Sequence, residues 1–496
     1  MSSESKAEEG KRALYLISVA GEIPLKSRRT RPRFFKALEK ALGDALGRRG
    51  IKEFRIWRDG ARLFLEAPPD AGTASAKVFG VGKVCEALEL SFDGLNDLAA
   101  KVAEVVKGDV RGRKFAVRVK RVGEHDFTSL DVARKVGELL LPESGGVDLE
   151  NPEVEVKVEV RGKVAYVIRE CIKGPGGLPP GTEGRALALF SGGFDSPVAA
   201  WLVARRGAEV HFLHFVLGSS RSAEEAFKVA SKLAREWLHG YSPRFIVVDF
   251  RRVAEAIVSN VRRDYRQVVL RALMYEAASL LAQRMGFDAL VTGEAIGQAS
   301  SQTLRNLAAI EAALARRGFR TLILRPLLGM DKEEIMAWAR RIGTYELSEK
   351  VAEYCAIAPS MVTTRAKVSE LLNELSRVDE SLVKSSVKEA KVLNLLKDTP
   401  LDAVPEGGVE IDYVPEGAIV VDMRSRKEYE EWHYPGAIHI RDAGDLRRFK
   451  GKTVVLYCTH GNASYLVAEM LRKEGVRAFS LKGGIKGARK ACGLKP

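Results

Sequence analysis

Residues 187–202, LALFSGGFDSPVAAWL, set two serines, two glycines and one carboxylate between a short apolar run and an apolar pattern that starts at Pro197. The order reads as strand, tight turn and helix. At such a junction backbone N–H groups converge and the helix dipole adds positive potential, so the chemistry on offer is the holding of an anion. Gly192 and Gly193 allow the main chain to approach a phosphate closely, and the hydroxyls of Ser191 and Ser196 add donors. No lysine follows the glycines, so this is not a Walker loop. The Gly451-Lys452-Thr453 triplet has Leu446 where a Walker loop requires its first glycine, and it is set aside.

Charge points to a polyanionic partner. The net charge is +15, and residues 1–60 hold 15 Lys/Arg against 8 Asp/Glu. Lys26, Arg28, Arg29, Arg31 and Arg33 cluster before an amphipathic helix. Lys114, Arg118, Lys120 and Arg121 form a second strip, and strand alternation puts Lys114, Arg118 and Lys120 on one side. Singly, each is an ordinary solvated charge; as sets they suit RNA contact through phosphates and shape rather than base edges. The five cysteines (Cys85, Cys171, Cys355, Cys458 and Cys492) lie far apart with no C-x-x-C pair, and this spacing argues against a disulfide framework or a zinc site. No stretch approaches the ~20 apolar residues of a membrane span. The opening MSSESKAEEGKR lacks the apolar core of a secretory signal, so a cytoplasmic protein without membrane association is expected.

A length of 496 residues argues for several domains. Residues 13–20 read as a strand, 51–67 as two more, and the Pro-Pro-Asp-Ala-Gly at 68–72 as a boundary. Residues 114–122 and 153–168 alternate with period two, and 174–184 reads as a linker or turn. Residues 185–345 alternate strand with helix, including one helix near 252–284, in a doubly wound pattern with a parallel sheet. Residues 366–398 read as helical and charged, 400–417 as a Pro/Gly-rich boundary, and the remainder again as α/β.

The hexapeptide Ser191-Gly-Gly-Phe-Asp-Ser196 resembles the S-G-G-x-D-S signature of the PP-loop ATP pyrophosphatases. Residues 292–306 (TGEAIGQASSQTLRN) and 325–348 (RPLLGMDKEEIMAWARRIGTYELS) resemble the 4-thiouridine-forming branch of that superfamily, the ThiI-type tRNA sulfurtransferases. GEIPLKSRRTRPRF at 21–34 resembles the opening of that family's ferredoxin-like domain, and FAVRVKRVGEHDFTSLDVARKVGELL resembles a THUMP domain. The resemblance implies a multidomain α/β chain. Its parts are an N-terminal ferredoxin-like α+β domain (1–70), a THUMP α/β domain (71–172), a doubly wound parallel-sheet PP-loop domain (173–398) and a rhodanese-like α/β domain (399–496). It also implies that the turn holds pyrophosphate, with Asp195 binding magnesium on it, as suits a hard cation. The implied ATP contacts are Leu189, Phe190, Ser191, Gly192, Gly193, Asp195, Ser196, His214, Phe215, Arg271, Gly293 and Gln302. Those outside the loop, except Arg271, fall at or near the C-terminal ends of predicted parallel strands, where open α/β sheets bind ligands.

VVDMRSRKEYEEWHYPGAIHI at 420–440 and YCTHGNASYL at 457–466 resemble a rhodanese domain with Cys458 as its active cysteine. The turn after Cys458 leads into a helix whose N–H groups would face the sulfur and stabilise a persulfide anion. A Cys-x5-Arg phosphatase loop would need arginine where Ser464 stands. In the family branch with a rhodanese domain, a second cysteine at the position of Cys355 pairs with the first when sulfur leaves. Cys85, Cys171 and Cys492 match nothing and read as structural. The implied reaction adenylates O4 of a tRNA uridine, expected at position 8, and replaces the oxygen with persulfide sulfur. The sulfur source would be a cysteine desulfurase persulfide or sulfide, the assembly a homodimer, and transfer would require the rhodanese part to swing about 400–417. The alternatives are a sulfur relay to thiamine thiazole synthesis and a non-catalytic RNA-binding protein.

Overall fold

The computed structural model describes residues 12–351, 362–404, 408–440 and 443–494. Cys355 lies outside the described residues. Packing divides the chain into two compact units, Met1–Thr182 and Glu183–Pro496.

The first unit is built on one seven-stranded sheet. Its strands are β1 (Ala13–Val19), β2 (Arg55–Asp59), β3 (Arg62–Ala67), β4 (Val81–Ser91), β5 (Phe115–Val122), β6 (Val154–Arg161) and β7 (Val164–Lys173). Their order is β2-β3-β1-β4-β7-β6-β5, with only β5 and β6 parallel. The helix Arg31–Arg48 carries Pro32 in its first turn, which its fixed φ suits, and buries Phe34, Phe35, Leu38, Ala41, Leu42, Ala45 and Leu46 on one face. Ala71, Ala74, Val78, Val81 and Leu178 share that core. Two further helices, Leu95–Val110 and Ser129–Leu140, cover the sheet around β5 and β6.

Two readings from sequence are corrected in this unit. The segment from 174, expected as a linker or turn leading out of this part, packs with the unit: Gly174 and Gly176 donate to the carbonyls of Gly82 and Val81 at 2.9 Å, and Arg33 donates to the Thr182 carbonyl. Cys85 and Cys171, read as structural in a chain whose cysteine spacing argued against a disulfide framework, form a disulfide. They are 86 residues apart in sequence, but the pairing of β4 with β7 sets them directly opposite. Spacing along the chain cannot reveal that neighbourhood.

The second unit begins with a six-stranded sheet of order β12-β11-β8-β9-β10-β13. Here β8 is Arg185–Leu189, β9 Glu209–Val216, β10 Arg244–Asp249, β11 Ala289–Val291, β12 Leu322–Leu324 and β13 Lys391–Asn394. The first five are parallel, as the doubly wound pattern requires. β13 falls in a segment expected to be helical. It pairs antiparallel with β10 and covers what would otherwise be an open edge. The long helix expected near 252–284 is two helices, Arg251–Asn260 and Arg266–Met285. The Arg262 N–H leaves the helical ladder to donate to Glu374, 3.0 Å away, and the Arg266 side chain takes the carbonyls of Val258 and Val261. The unit ends in a parallel sheet of order β14-β18-β17-β15-β16. These strands are β14 (Glu410–Ile411), β15 (Ile419–Asp422), β16 (Ile438–His439), β17 (Thr453–Tyr457) and β18 (Arg477–Leu481). Among the described residues no helix is long and apolar enough to cross a membrane.

Two buried histidines make this unit sensitive to acid. Burial, with Arg185 and Arg244 nearby, pushes the His211 imidazole down to about 3, and burial pushes His214 down to about 4. Both titrate near 6.5 when unfolded, so their neutral forms favour the fold above that pH. That contribution is lost as pH falls from about 6.5 toward 4, at about 1.4 kcal/mol per pH unit per histidine. Thermal unfolding followed from pH 7 to 4.5 should show a falling midpoint, and His211→Gln should flatten the slope. An unchanged slope in that variant would refute the assignment.

Candidate active site

The sequence between β8 and β9 folds as its composition dictates. β8 ends at Leu189, residues 190–194 turn, and the helix Asp195–Ala204 begins. Gly192 has φ +87°, and a Cβ there would lie 2.9 Å from the Ala226 Cα, so only glycine fits. The Gly192 N–H donates to Ser196 Oγ at 3.2 Å and the Gly193 N–H to Ser191 Oγ at 3.3 Å. Gly293, just past β11, faces the start of the helix, where a Cβ would meet the Asp195 Cβ at 2.9 Å.

A cavity of about 280 Å³ opens at this point. Leu189, Phe190, Ser191, Asp195, Ser196, His214, Phe215, Arg271, Gly293 and Gln302 all line it. Ten positions taken from motifs scattered over 114 residues therefore meet in one place; Gly192 and Gly193, in the same turn, are not among its lining residues. Gln298 Nε2 lies 3.2 Å from both carboxylate oxygens of Asp195. The Gln302 side-chain oxygen accepts from the Ala295 N–H at 3.0 Å. His214 is neutral at physiological pH: Nδ1 faces the Phe190 carbonyl at 2.8 Å and therefore carries the proton, leaving Nε2 to accept from Ser222 Oγ at 3.1 Å.

Sequence reasoning missed Glu294. Its carboxylate is buried at the cavity wall, where it accepts from Arg271, from Arg325 Nε at 2.6 Å and from Thr292 Oγ1 at 3.1 Å. Burial alone would raise its pKa; Arg271 and Arg325 more than offset that and hold it below the usual carboxylate range. Arg271 is thus anchored before any ligand arrives. The only sequence signal was an acid two residues past Thr292 at a strand end.

The second site sits at the end of β17. Cys458 Sγ accepts the Gly461 N–H at 3.2 Å and faces Ser464 Oγ at 3.5 Å. Gly461 (φ +92°) and Gly484 (φ +62°) let two turns close over the sulfur; a Cβ on Gly484 would lie 2.3 Å from the Cys458 carbonyl oxygen. Asp422 and Arg424 form a buried pair at 2.7 Å beneath the loop. Glu428 accepts from Thr459 Oγ1 at 3.4 Å and from Ser425 Oγ at 2.5 Å, tying the loop to the neighbouring helix.

The two sites share one unit, and the sulfur-bearing part is seated rather than tethered. Ser220 donates to Glu410 from N–H at 3.0 Å and from Oγ at 2.6 Å. Arg251 donates to the Tyr465 hydroxyl at 2.8 Å, and Leu466 joins the core beneath the six-stranded sheet. The Pro/Gly-rich segment expected to serve as a pivot supplies β14 to the second sheet. A second cavity, of about 240 Å³, opens at the seam and is lined by Ser222, Val351, His460 and Asn462 among others.

In the first unit the expected RNA-binding cations divide. Arg28 and Arg29 are exposed on the turn before the first helix. Arg31 donates to the Lys26 carbonyl at 3.1 and 3.2 Å, and the Lys26 ammonium lies 4.7 Å from the Phe34 ring centre. Arg33 is engaged with Thr182. Lys114 lies 3.8 Å from Asp148, and Arg121 donates to the His125 carbonyl at 3.2 Å. Arg118, 3.5 Å from Glu155, and Lys120, 3.9 Å from Glu159, line one cavity with Arg62, Lys83 and Lys157, three cations not anticipated from sequence. Lys114 is not among its lining residues.

The family model for the thiamine biosynthesis protein ThiI matches residues 181–379. Those for the THUMP domain and the rhodanese-like domain match 91–169 and 412–491. A tRNA sulfurtransferase of Desulfurococcus amylolyticus is 50% identical over 97% of this chain and 99% of its own length. One of Pyrobaculum aerophilum is 40% identical over 94% and 96%. The crystal structure of a 4-thiouridine synthetase–RNA complex with bound ATP is 28% identical, with a TM-score of 0.67, over 77% of this chain and 99% of its own. With two such relatives along nearly its whole length and an ATP-bound neighbour matching its architecture, the chain belongs to the tRNA sulfurtransferase family.

Proposed function

We propose that this protein uses ATP to adenylate O4 of uridine-8 in tRNA and replaces that oxygen with sulfur carried on Cys458, giving 4-thiouridine. The observation that carries this reading is the convergence of the SGGFDS turn, His214, Arg271, Gly293 and Gln302 on one cavity, in the same unit as the Cys458 loop. The neutral His214 and the anchored Arg271 suit a nucleotide bound at strand ends. The structure neighbour with RNA and ATP supports both ligands for this chain. The division of labour follows the segments 1–70 and 71–172 for tRNA, 173–398 for adenylation and 399–496 for sulfur, in a cytoplasmic homodimer.

Magnesium fits the cavity only with help from the substrate. Among the described residues no cluster of three or more His, Cys, Asp or Glu side chains could hold a metal ion. Asp195 would hold it by one carboxylate, with nucleotide phosphates completing the shell, which is the usual arrangement for this cation. When bound it neutralises the charge that develops on the leaving pyrophosphate.

The transfer balances as follows. The terminal sulfur of a Cys458 persulfide attacks C4, the C4–O bond breaks and AMP leaves. A Cys355 thiolate attacks Cys458 Sγ, and the S–S bond breaks with its electron pair going to the sulfur on C4. A Cys355–Cys458 disulfide remains, which an external dithiol reduces. The outer sulfur comes from a cysteine desulfurase persulfide by transfer to the Cys458 thiolate, or from sulfide attacking Cys458 Sγ of the Cys355–Cys458 disulfide, which leaves Cys458 as the persulfide and releases Cys355 as the thiolate. Two observations on its described neighbour Val351 support the assignment of Cys355. Val351, four residues before it, lines the same cavity as His460, two residues after Cys458. Val351 Cγ2 also lies 3.4 Å from the position of a Cβ on Gly192.

Nucleoside analysis of tRNA incubated with the protein, ATP and a persulfide source should yield 4-thiouridine at position 8. Its absence, with sulfur passing instead to a thiazole precursor, would favour the sulfur relay to thiamine thiazole synthesis, and the ThiI family's description names thiamine biosynthesis.

The basic turn carries a further expectation. If Arg28, Arg29 and Arg31 contact phosphates, neutralising all three weakens tRNA binding and lowers the salt slope by about 2–3 units of log K per log salt. A fragment of residues 1–182 retains much of the affinity. Salt-independent binding, or an unchanged slope in the triple variant, would refute the contact.

A further inference from the structure

The helix Asn462–Lys473 starts where the sulfur loop ends, and its first residue, Asn462, is buried. The Asn462 side-chain oxygen accepts the Ser219 N–H at 2.9 Å. Ser219 follows Gly218, where a Cβ would lie 2.9 Å from the Asn462 Cα and 3.1 Å from its carbonyl oxygen. The two main chains touch directly there, and nothing larger than glycine fits without displacing the loop. The turn holding Gly218 and Ser219 follows β9, the strand that places His214 and Phe215 at the nucleotide cavity. Ser222 closes the path: its hydroxyl lies 3.0 Å from the Ser219 carbonyl and 3.1 Å from His214 Nε2, and its single proton is given to one of these two acceptors at a time. A continuous run of polar contacts therefore joins the wall of the nucleotide cavity to the first residue of the sulfur helix.

We propose that this seam is a latch that sets the register between the sulfur loop and the adenylating site, with Asn462 and Gly218 as positioning residues for sulfur transfer. The proposal rests on the thiolation reading above. Other contacts between the parts, among them Ser220 with Glu410, Arg251 with Tyr465, Lys473 with Glu255 and Leu466 in the shared core, fasten the body of the sulfur-bearing part. Asn462 alone among these lies within four residues of Cys458, so it fixes where the sulfur points rather than whether the parts cohere. Transfer to C4 demands placement within a fraction of an ångström, while persulfide loading and ATP cleavage each take place within one site and do not.

The test uses the full chain, loaded at Cys458 by a small-molecule persulfide, with ATP, magnesium and a tRNA transcript. Persulfide load, pyrophosphate release and thiolation are measured separately for Asn462→Ala, Asn462→Asp and Gly218→Ala. Asn462→Ala and Gly218→Ala should load and release pyrophosphate within twofold of the parent. Their thiolation kcat should fall at least tenfold with the KM values for ATP and tRNA unchanged. The double variant should be no slower than the worse single. Asn462→Asp keeps an acceptor facing Ser219 and should recover most of the rate. Parental thiolation by Asn462→Ala, or a parallel fall of all three measurements, overturns the latch. A parent chain that neither loads Cys458 nor releases pyrophosphate overturns the thiolation reading instead.

Discussion

Asp195→Ala should lower ATP-dependent tRNA thiolation by about 10²–10³-fold or more, a loss of about 3–4 kcal/mol of transition-state stabilisation, while tRNA affinity stays unchanged. Asp195 opens the helix Asp195–Ala204 and lines the nucleotide cavity, with Gly293 packed so closely that neither backbone can drift. Its carboxylate is the only one on the SGGFDS turn. Removing it takes away the anion that would hold magnesium on the pyrophosphate and leaves the Gln298 amide without that acceptor. The first unit is untouched, so tRNA binding serves as the internal control. Asp195→Asn separates charge from shape: it keeps an oxygen for Gln298 but not the negative charge. It should be nearly as slow as alanine. An acid in the first turn also favours the helix by about 0.3–1 kcal/mol, so a small fall in stability is expected in both variants. Full pyrophosphate release and thiolation in Asp195→Ala would sink the assignment of the turn.

Local signals carried the reading of this chain a long way. The SGGFDS turn was legible because strand, glycines and helix start are contiguous, and a phosphate cradle is a local structure. The parallel sheet was legible from alternation of short apolar runs with amphipathic helices. What stayed hidden depends on contacts between distant segments. Glu294 meets Arg271 and Arg325 across separations of 23 and 31 residues, and nothing in its own neighbourhood marks it as buried. The Cys85–Cys171 bridge needs the pairing of β4 with β7. Strand β13 looked helical because its charges suit an exposed helix; the edge of β10 decides otherwise. The seating of the sulfur loop against Gly218 could not be read from a Pro/Gly-rich segment that resembles any flexible linker.

The largest effect is expected at Cys458. Cys458→Ser should abolish persulfide-dependent thiolation, because a hydroxyl cannot carry sulfane sulfur, and should leave pyrophosphate release intact. The loop is shaped around that sulfur: Gly461 and Ser464 supply donors at 3.2 and 3.5 Å, and two left-handed glycines clear the space. In the proposed reaction Cys458 is freed by a second thiol once sulfur has gone to C4, and Cys355 is the residue proposed to provide it. From Val351 at the seam cavity, four residues of extended chain reach about 13 Å. A disulfide needs Cα atoms within about 7 Å. Single-turnover thiolation without reductant, followed by non-reducing peptide mass spectrometry, should therefore show a Cys355–Cys458 peptide that is absent before turnover. The Cys85–Cys171 peptide should be present at both times, which calibrates recovery of linked peptides. Cys355→Ala should complete at most one slow turnover and accumulate no linked peptide. Normal multiple turnover by Cys355→Ala, with the linked peptide never formed in the parent chain, would remove Cys355 from the reaction and leave an external thiol to cleave the S–S bond at Cys458.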